Sequence, residues 1–336
     1  MPEPSTTLAD IASVANVSVA TVSRVLNGKP GISEDKRTQI ELLLDERGYE
    51  RRKKRRTTSI VDLIMRGLDT QWAVEILRGV HAEAARAKLD LVVTVTNGHS
   101  SVSSDWAERV VARGTDGVIV VVSELDAAAR EELANLHAPV VMIDPVGGES
   151  ESDVTVSATD WAGGRDAAEH LLRLGHERIG FVTGPMRLEC HRDRLDGYFS
   201  ALGRAGIAQN ADLVKYGDSL AAGGEELGGE LLDQENRPTA IISGSDEQAY
   251  GIYRAAQARG IRIPEDLSVI GFDDVDLCQW MTPPLTTVRQ PLAEMGGTAT
   301  RLLLSLAQGN AVAGRRVQLS SELIVRASTA AAPAAA

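Results

Sequence analysis

Two hydrophobic rhythms divide the chain. Over residues 7–50 apolar side chains recur every three or four positions: Leu8, Ile11, Ala12 and Ala15, then Val22, Val25 and Leu26, then Ile40, Leu43 and Leu44. That spacing predicts three short helices, each burying one face. Thr7 and Ser18 suit the N-caps of the first two. Glu34 and Asp35 after Ser33 suit the positive first turn of the third, and Gly48 ends it. Asn16 falls at the turn between the first two helices, where a left-handed residue is needed and Asn is better tolerated than most. Three such helices are what a helix-turn-helix module requires, and a small bundle of no special function fits the spacing equally well.

From residue 60 the rhythm changes. Near-continuous Val/Ile runs, "IVDLIM" (60–65), "LDLVVTV" (89–95), "DGVIVVV" (116–122), "PVVMID" (139–144), "RIGFVTG" (178–184), "TAIISG" (239–244) and "LSVIGFDD" (267–274), alternate with helical stretches such as those beginning near Trp72 and Ser104. Apolar strands separated by helices predict parallel sheets covered on both faces, which bind ligands beyond the carboxyl ends of their strands.

Composition narrows this only slightly. The chain has 336 residues, enough for two or three domains, and only Cys190 and Cys278. Two cysteines imply no disulfide framework, so a reducing compartment is expected. No apolar run approaches a membrane span of about 18–20 residues, and "MPEPSTTLAD" lacks the build of a secretory signal. The tail "ASTAAAPAAA" is low-complexity, and 330–336 is expected to be frayed. Charge is more informative because it is uneven. The formal net charge is -12, yet residues 1–58 carry 11 Lys/Arg against 8 Asp/Glu. Six consecutive cations, "RRKKRR", occupy 51–56. A basic head on an acidic body suggests that only the head meets a polyanion.

With its segments "TLADIA", "VSVATVSRVLNG" and the "S…R" opening of the third helix, the head resembles the LacI/GalR (lactose-repressor, galactose-repressor) family of bacterial regulators. The resemblance implies that Val19, Ala20 and Arg24 face base edges in the major groove, while Thr7, Ser18, Thr21, Ser23 and Asn27 mostly hold phosphates. The chemistry agrees, since Arg donates two hydrogen bonds to guanine and small apolar groups fit thymine methyls. Ser18 also has the plain role of an N-cap.

The body carries further family segments: "HLLRLGHERIGFVTGP", "RLDGY", "LSVIGFDD" and "PPLTTVRQP". These imply an N-terminal all-α helix-turn-helix domain (1–50), a basic hinge (51–59) and a two-lobed α/β periplasmic-binding-protein-like effector domain (60–329). Parallel sheets and three crossovers are expected, with one lobe from about 60–158 and 291–319 and the other from about 161–288 and 322–329. Carried over residue by residue, the effector site comprises Asp69, Trp72, Ser123, Asp144, Arg194, Ser245, Asp246 and Asp273. Arg194 would grip effector oxygens, Asp273 would accept from sugar hydroxyls, and the Trp72 face suits a sugar ring or any apolar ligand. Ser245 stands where Asn or Asp is commoner. Each has an alternative role: Trp72 as interlobe core, Arg194 and Asp273 as interlobe salt bridges, Asp144 and Asp246 as turn caps.

Enzymatic patterns are missing: there is no Walker loop, no GxGxxG after a strand, no HExxH, and "ISGSDE" is not a nucleophile elbow. The expectation is therefore a cytoplasmic, nucleoid-associated transcriptional regulator, most plausibly a repressor, acting as a homodimer on a palindromic operator under a small-molecule, sugar-class effector. No cofactor, metal or membrane is expected. The alternative is a cytoplasmic sugar sensor acting through a protein partner, which would need neither Arg24 nor the basic run. In the family, the segment after the Tyr matched by Tyr49 forms a hinge helix whose leucine wedges into the minor groove. Here "YERRKKRRTTSIVDL" has no proline, asparagine or leucine before the first strand. Arg51, Arg52, Lys53, Lys54, Arg55 and Arg56 are expected instead to lie along phosphates with little sequence preference and without a kink.

Overall fold

A computed structural model describes residues 8–26, 32–46, 60–96, 101–102, 104–121, 124–125, 131, 138–146, 153–312 and 314–333. The chain divides into two compact units, 1–56 and 57–336.

The first unit is the three-helix module that the apolar spacing predicts: α1 (Leu8–Val14), α2 (Val19–Leu26) and α3 (Glu34–Glu46). Ile11, Ala12, Ala15, Val22, Val25, Ile40 and Leu44 are buried together, so each helix gives one apolar stripe to a common core. Asn16 turns the chain between α1 and α2 in the left-handed region, at φ 51°. Ser18 caps α2, its Oγ accepting the Thr21 backbone N–H at 3.1 Å. The Thr7 and Gly48 expectations lie outside the described residues.

The second unit runs β1 (Ile60–Met65), α4 (Gln71–Arg86), β2 (Asp90–Val95), β3 (Ser101–Val102), α5 (Ser104–Arg113), β4 (Gly117–Val121), β5 (Glu124–Leu125), β6 (Val140–Ile143) and β7 (Thr155–Ala158). It continues through α6 (Asp160–Arg173), β8 (Ile179–Thr183), α7 (Glu189–Arg204), β9 (Val214–Tyr216), α8 (Ala221–Leu232), β10 (Ala240–Ser243), α9 (Asp246–Ala258) and β11 (Ser268–Asp273). Last come α10 (Leu277–Trp280), β12 (Thr286–Arg289), α11 (Leu292–Ala307), β13 (Arg316–Leu319) and β14 (Glu322–Ile324). One six-stranded sheet has the order β13-β7-β6-β4-β1-β2 and the other β14-β12-β11-β10-β8-β9. Their pairings are parallel except β12 with β14, which is antiparallel. The chain therefore passes between sheets three times, after β7, after β12 and after β13, and each sheet with its helices is one lobe.

Continuous burial of the inner strands follows from this arrangement. β4 and β8 are buried at every position because helices cover both faces. Three helix pairs approach through glycine, α4 with α11, α6 with α7 and α8 with α9. A Cβ on Gly79 of α4 would lie 1.9 Å from the Ala293 carbonyl oxygen of α11, and one on Gly164 of α6 would lie 2.0 Å from that of Arg194 on α7. Only a residue without a side chain permits either approach. The lobes also meet directly: Val275 and Leu277, from beyond β11, pack on the first-lobe core beside Trp72. Among the described residues no helix is long and apolar enough to cross a membrane.

Candidate functional site

In the helix-turn-helix unit, the amphipathic α2 turns Val22 and Val25 inward and leaves Val19 and Arg24 exposed. Val19 is 46% accessible. Ser18 is exposed, Thr21 half-buried, and their hydroxyl oxygens are 2.8 Å apart. Ala20 and Ser23 belong to α2, but their side chains lie outside the described residues, as do Thr7, Asn27 and the whole basic run Arg51–Arg56.

Between the two lobes lies a cavity of about 650 Å³, at the carboxyl ends of both sheets, where open parallel sheets leave room for a ligand. From the first lobe, β1, β4 and β6 deliver Met65, Arg66, Val121 and Asp144, and the start of α4 delivers Trp72. From the second, the β8–α7 connection and α7 deliver Leu188, His191 and Arg194, and β10 and β11 deliver Gly244, Ser245 and Asp273.

Arg194 organises the second-lobe wall. It is 4% exposed, and its Nε donates to Asp160 Oδ1 at 2.7 Å while Nη1 donates to the Gly244 carbonyl at 2.6 Å. The guanidinium stacks 3.8 Å from the centroid of the Phe272 ring. Burial is the largest influence and opposes its charge, but Asp160, Cys190 and Asp273 together outweigh it and raise its pKa. Nη2 has no partner among the described residues and remains free to donate. Asp273 stands 3.9 Å from Nη1 and accepts from Gln290 Nε2 at 2.6 Å. Its backbone is held at φ 119°, a strained conformation for a residue with a side chain.

Across the cleft, Asp144 also has positive φ, 44°, and its carboxylate accepts no hydrogen bond among the described residues. Burial first, and then the Asp160 charge, push its pKa up to about 8. Asp273 moves in the same direction, chiefly through burial. Polar side chains so converge on one rim of a largely apolar pocket: donors from Arg194, acceptors from Asp144 and Asp273, and the flat face of Trp72. Such a set satisfies a polyhydroxylated ring, which offers both donors and acceptors.

Of the sequence-predicted set, Asp69, Trp72, Asp144, Arg194, Ser245 and Asp273 line this cavity. Trp72 lines the cavity and is also packed on the first-lobe core. Arg194 and Asp273 do not form interlobe salt bridges, because both belong to second-lobe elements. Ser245 lines the wall, but its hydroxyl is largely engaged, capping α9 through the Gln248 N–H and donating to the Ser219 carbonyl at 2.8 Å. Ser123 lies outside the described residues. Asp246 is a correction. Its carboxylate turns away from the cavity and accepts from the Val275 N–H at 3.0 Å and the Thr287 hydroxyl at 2.6 Å. As the first residue of α9 it ties that helix to the ends of β11 and β12.

Several lining residues were not anticipated: Arg66, His191, Ser219 and Glu247. His191 lies one helical turn before Arg194, a spacing that flags the shared face. Arg66 is the first residue past β1, where the rule of strand carboxyl ends points. Burial, then the Arg194 and Arg187 charges, hold His191 neutral, with its Nε2 3.0 Å from Ser219 Oγ. Glu247 accepts the Gln71 N–H at 3.0 Å across the cleft, and Gln71 Oε1 accepts the Leu277 N–H at 3.1 Å, a reciprocal link between the lobes.

Comparison with known proteins bears on both units. Residues 7–52 match the family described as bacterial regulatory proteins, lacI family, and residues 168–329 match a periplasmic binding protein-like domain. The HTH-type transcriptional repressor CytR of Escherichia coli (strain K12) is 34% identical over 98% of this chain and 98% of its own. Among solved structures, the transcriptional regulator CelR–cellobiose complex superposes with a TM-score of 0.74 at 30% identity, covering 96% of this chain and 99% of the other. The lac repressor dimer bound to operator and the anti-inducer ONPF gives 0.71 at 27% identity, covering 98% and 100%. Identity and coverage of this extent, on a helix-turn-helix unit joined to two lobes around a cleft, make the chain a member of the LacI family of DNA-binding bacterial transcriptional regulators.

Proposed function

We propose that the protein is a transcriptional repressor, not an enzyme, which binds a two-fold symmetric operator as a homodimer and releases or tightens on it when a carbohydrate occupies the interlobe cleft. The observation that carries this reading is the convergence of Arg194, Asp273 and Asp144 beside Trp72 in one cavity. Relatives support it: one similar regulator is solved with cellobiose, another as a dimer on its operator. A single α2 makes few base contacts, and two-fold pairing doubles them. The site of action is the cytoplasm, at the nucleoid.

In this reading Val19, Ala20 and Arg24 read bases, Thr7, Ser18, Thr21, Ser23 and Asn27 hold phosphates, and residues 51–56 add sequence-independent attraction. Asp69, Trp72, Asp144, Arg194, Ser245 and Asp273 form the effector site, joined by His191. A ligand bridging Asp144 and Arg194 contacts both lobes, so it favours one lobe arrangement and shifts operator affinity.

A thermal-shift screen of mono- and oligosaccharides, repeated with operator DNA present, tests this. A carbohydrate that raises Tm, by an amount that operator changes, is the expected result. Stabilisation that operator leaves untouched contradicts coupling, and no stabilisation by any carbohydrate contradicts the effector class.

A further inference from the structure

The interlobe cavity is longer than one sugar ring. Both sheets run outward from the crossovers in matching order, β7, β6, β4, β1, β2 in the first lobe and β12, β11, β10, β8, β9 in the second. Asp144 follows β6 and Asp273 ends β11, so the groups proposed to hold a sugar gather toward the crossover edge. Arg194 belongs with them, 3.9 Å from Asp273. The lining does not stop there. It continues past β1 to Leu68 and Asp69, and past β9 to Asp218 and Leu220. From β11 to β9 is three strand spacings, roughly 14 Å, whereas a pyranose covers little more than one spacing.

Two links between the lobes set the direction in which a ligand lengthens. Gln71 at the start of α4 meets Glu247 at the start of α9, and Val146 pairs with Leu188, the N-cap of α7, as an antiparallel bridge. Helices α7 and α9 cover opposite faces of the second sheet, so the links flank the cavity on its two sides. A ligand between them extends along the strand ends, away from the crossovers.

The outer stretch has the chemistry of a second ring site. Leu68 is 42% and Leu220 39% exposed, one from each lobe, an apolar pair left uncovered on the cavity lining. The C–H face of a pyranose covers such side chains. Beside each leucine stands a carboxylate. Asp69 accepts no hydrogen bond among the described residues, and Asp218 accepts there only the Leu220 N–H, at 2.9 Å through Oδ1. These acceptors call for donors on the ligand, which ring hydroxyls supply and an apolar aglycone does not. The inner wall holds the outer one in place. Ser219, between Asp218 and Leu220, adopts a left-handed φ of 71°, with its carbonyl accepting from Ser245 Oγ at 2.8 Å and its own Oγ 3.0 Å from His191 Nε2.

We propose that the effector is a disaccharide, with one ring at Arg194, Asp144 and Asp273 and the second between Leu68 and Leu220, its hydroxyls donating to Asp69 and Asp218. Because those leucines come from different lobes, the second ring adds a contact across the seam. The inference rests on the cleft being a carbohydrate site and names the size of carbohydrate.

Isothermal titration of the full-length protein compares glucose and galactose with their methyl glycosides, their phenyl glycosides, and the disaccharides maltose, cellobiose, lactose and melibiose. At least one disaccharide is expected to bind about tenfold or more tightly than the monosaccharides and methyl glycosides, the return of one or two hydrogen bonds. Leu68→Ser, Leu220→Ser and Asp218→Asn, which keeps the Oδ1 acceptor of its turn, should each lower that affinity by about fivefold and leave monosaccharide affinity unchanged. Unaltered operator binding without sugar shows that the variants fold. Monosaccharides that bind as tightly as every disaccharide overturn the inference and leave the carbohydrate site standing, as does a disaccharide preference that all three variants retain. Phenyl glycosides that bind more tightly than any disaccharide overturn the assignment of the second ring as a sugar. No binding by any of these compounds overturns the carbohydrate reading and the inference together.

Discussion

Two arginines carry the chemistry of this protein in opposite environments. Arg24 is exposed on α2 with water as its default partner, so in the proposed reading its interaction energy is realised only on DNA. Arg24→Ala should weaken operator binding by roughly 1–3 kcal/mol and leave random-sequence DNA nearly unaffected. Gel-shift titrations on both DNAs check this, and equal losses would reduce Arg24 to a phosphate contact. Arg194 is buried, and Asp160, Gly244 and Phe272 hold it in place before any ligand arrives. Buried carboxyl groups of the same unit set a pH dependence. Asp144 titrates at about 8 and Asp246 at about 7 in the folded chain, against an ordinary value of 3.8. The native state thus keeps protons that the unfolded chain has lost, and stability falls as pH rises from about 4 to about 8. Asp144→Asn, which has no charge to bury, should flatten that decline in Tm. An unaltered pH profile would show that Asp144 ionises freely.

At the scale of elements, much was legible in the sequence and some was not. Val/Ile runs announced β1, β2, β4, β6, β8, β10 and β11, because strands covered on both faces admit little else. β9, β13 and β14 escaped notice: they are three or four residues long and only partly buried, so "VKY", "RVQL" and "ELI" show no continuous apolar run. β7, "TVSA", is buried but spelled with small polar residues. Asp246 shows the same limit at the site. A carboxylate just past a strand reads as a ligand group, yet the turn into α9 sends Ser245 and Glu247 to the cavity and Asp246 into the core. Arg66 was overlooked because one cation past a strand carries no motif.

Element packing also positions the chemistry. α7 brings Arg194 to Asp160 on α6 only because Gly164 leaves room for the Arg194 backbone. Gly164→Ala should cost about 1–3 kcal/mol by overpacking, and chemical denaturation would record it. Retention of wild-type stability would mean that the helices part freely. The role proposed for the basic run is electrostatic, and each phosphate neutralised adds about −0.9 to the slope of log affinity against log salt. Replacing residues 51–56 with Ser and Gln is expected to flatten that slope by several units while preserving discrimination between operator and random DNA. An unchanged slope would make the run a plain linker.

For the whole molecule, the question is how a ligand in one unit alters the work of the other. The lobes are linked across the cleft by Gln71 with Glu247 and by Val275 on the first-lobe core, and the candidate ligand contacts lie on both sides of that seam. Binding energy can therefore be spent on the lobe arrangement, and couplings of this kind typically reach 1–3 kcal/mol, or about 5–150-fold in affinity. The most direct test is the ratio of operator affinities with and without saturating ligand, taken from fluorescence anisotropy of labelled operator. The carbohydrate giving the largest thermal stabilisation serves as ligand, for the wild type and for Asp273→Asn. The account predicts a ratio of at least about fivefold for the wild type and a ratio near one for Asp273→Asn at the same ligand concentration. A wild-type ratio near one, or an Asp273→Asn protein that responds with the wild-type midpoint and amplitude, would contradict it.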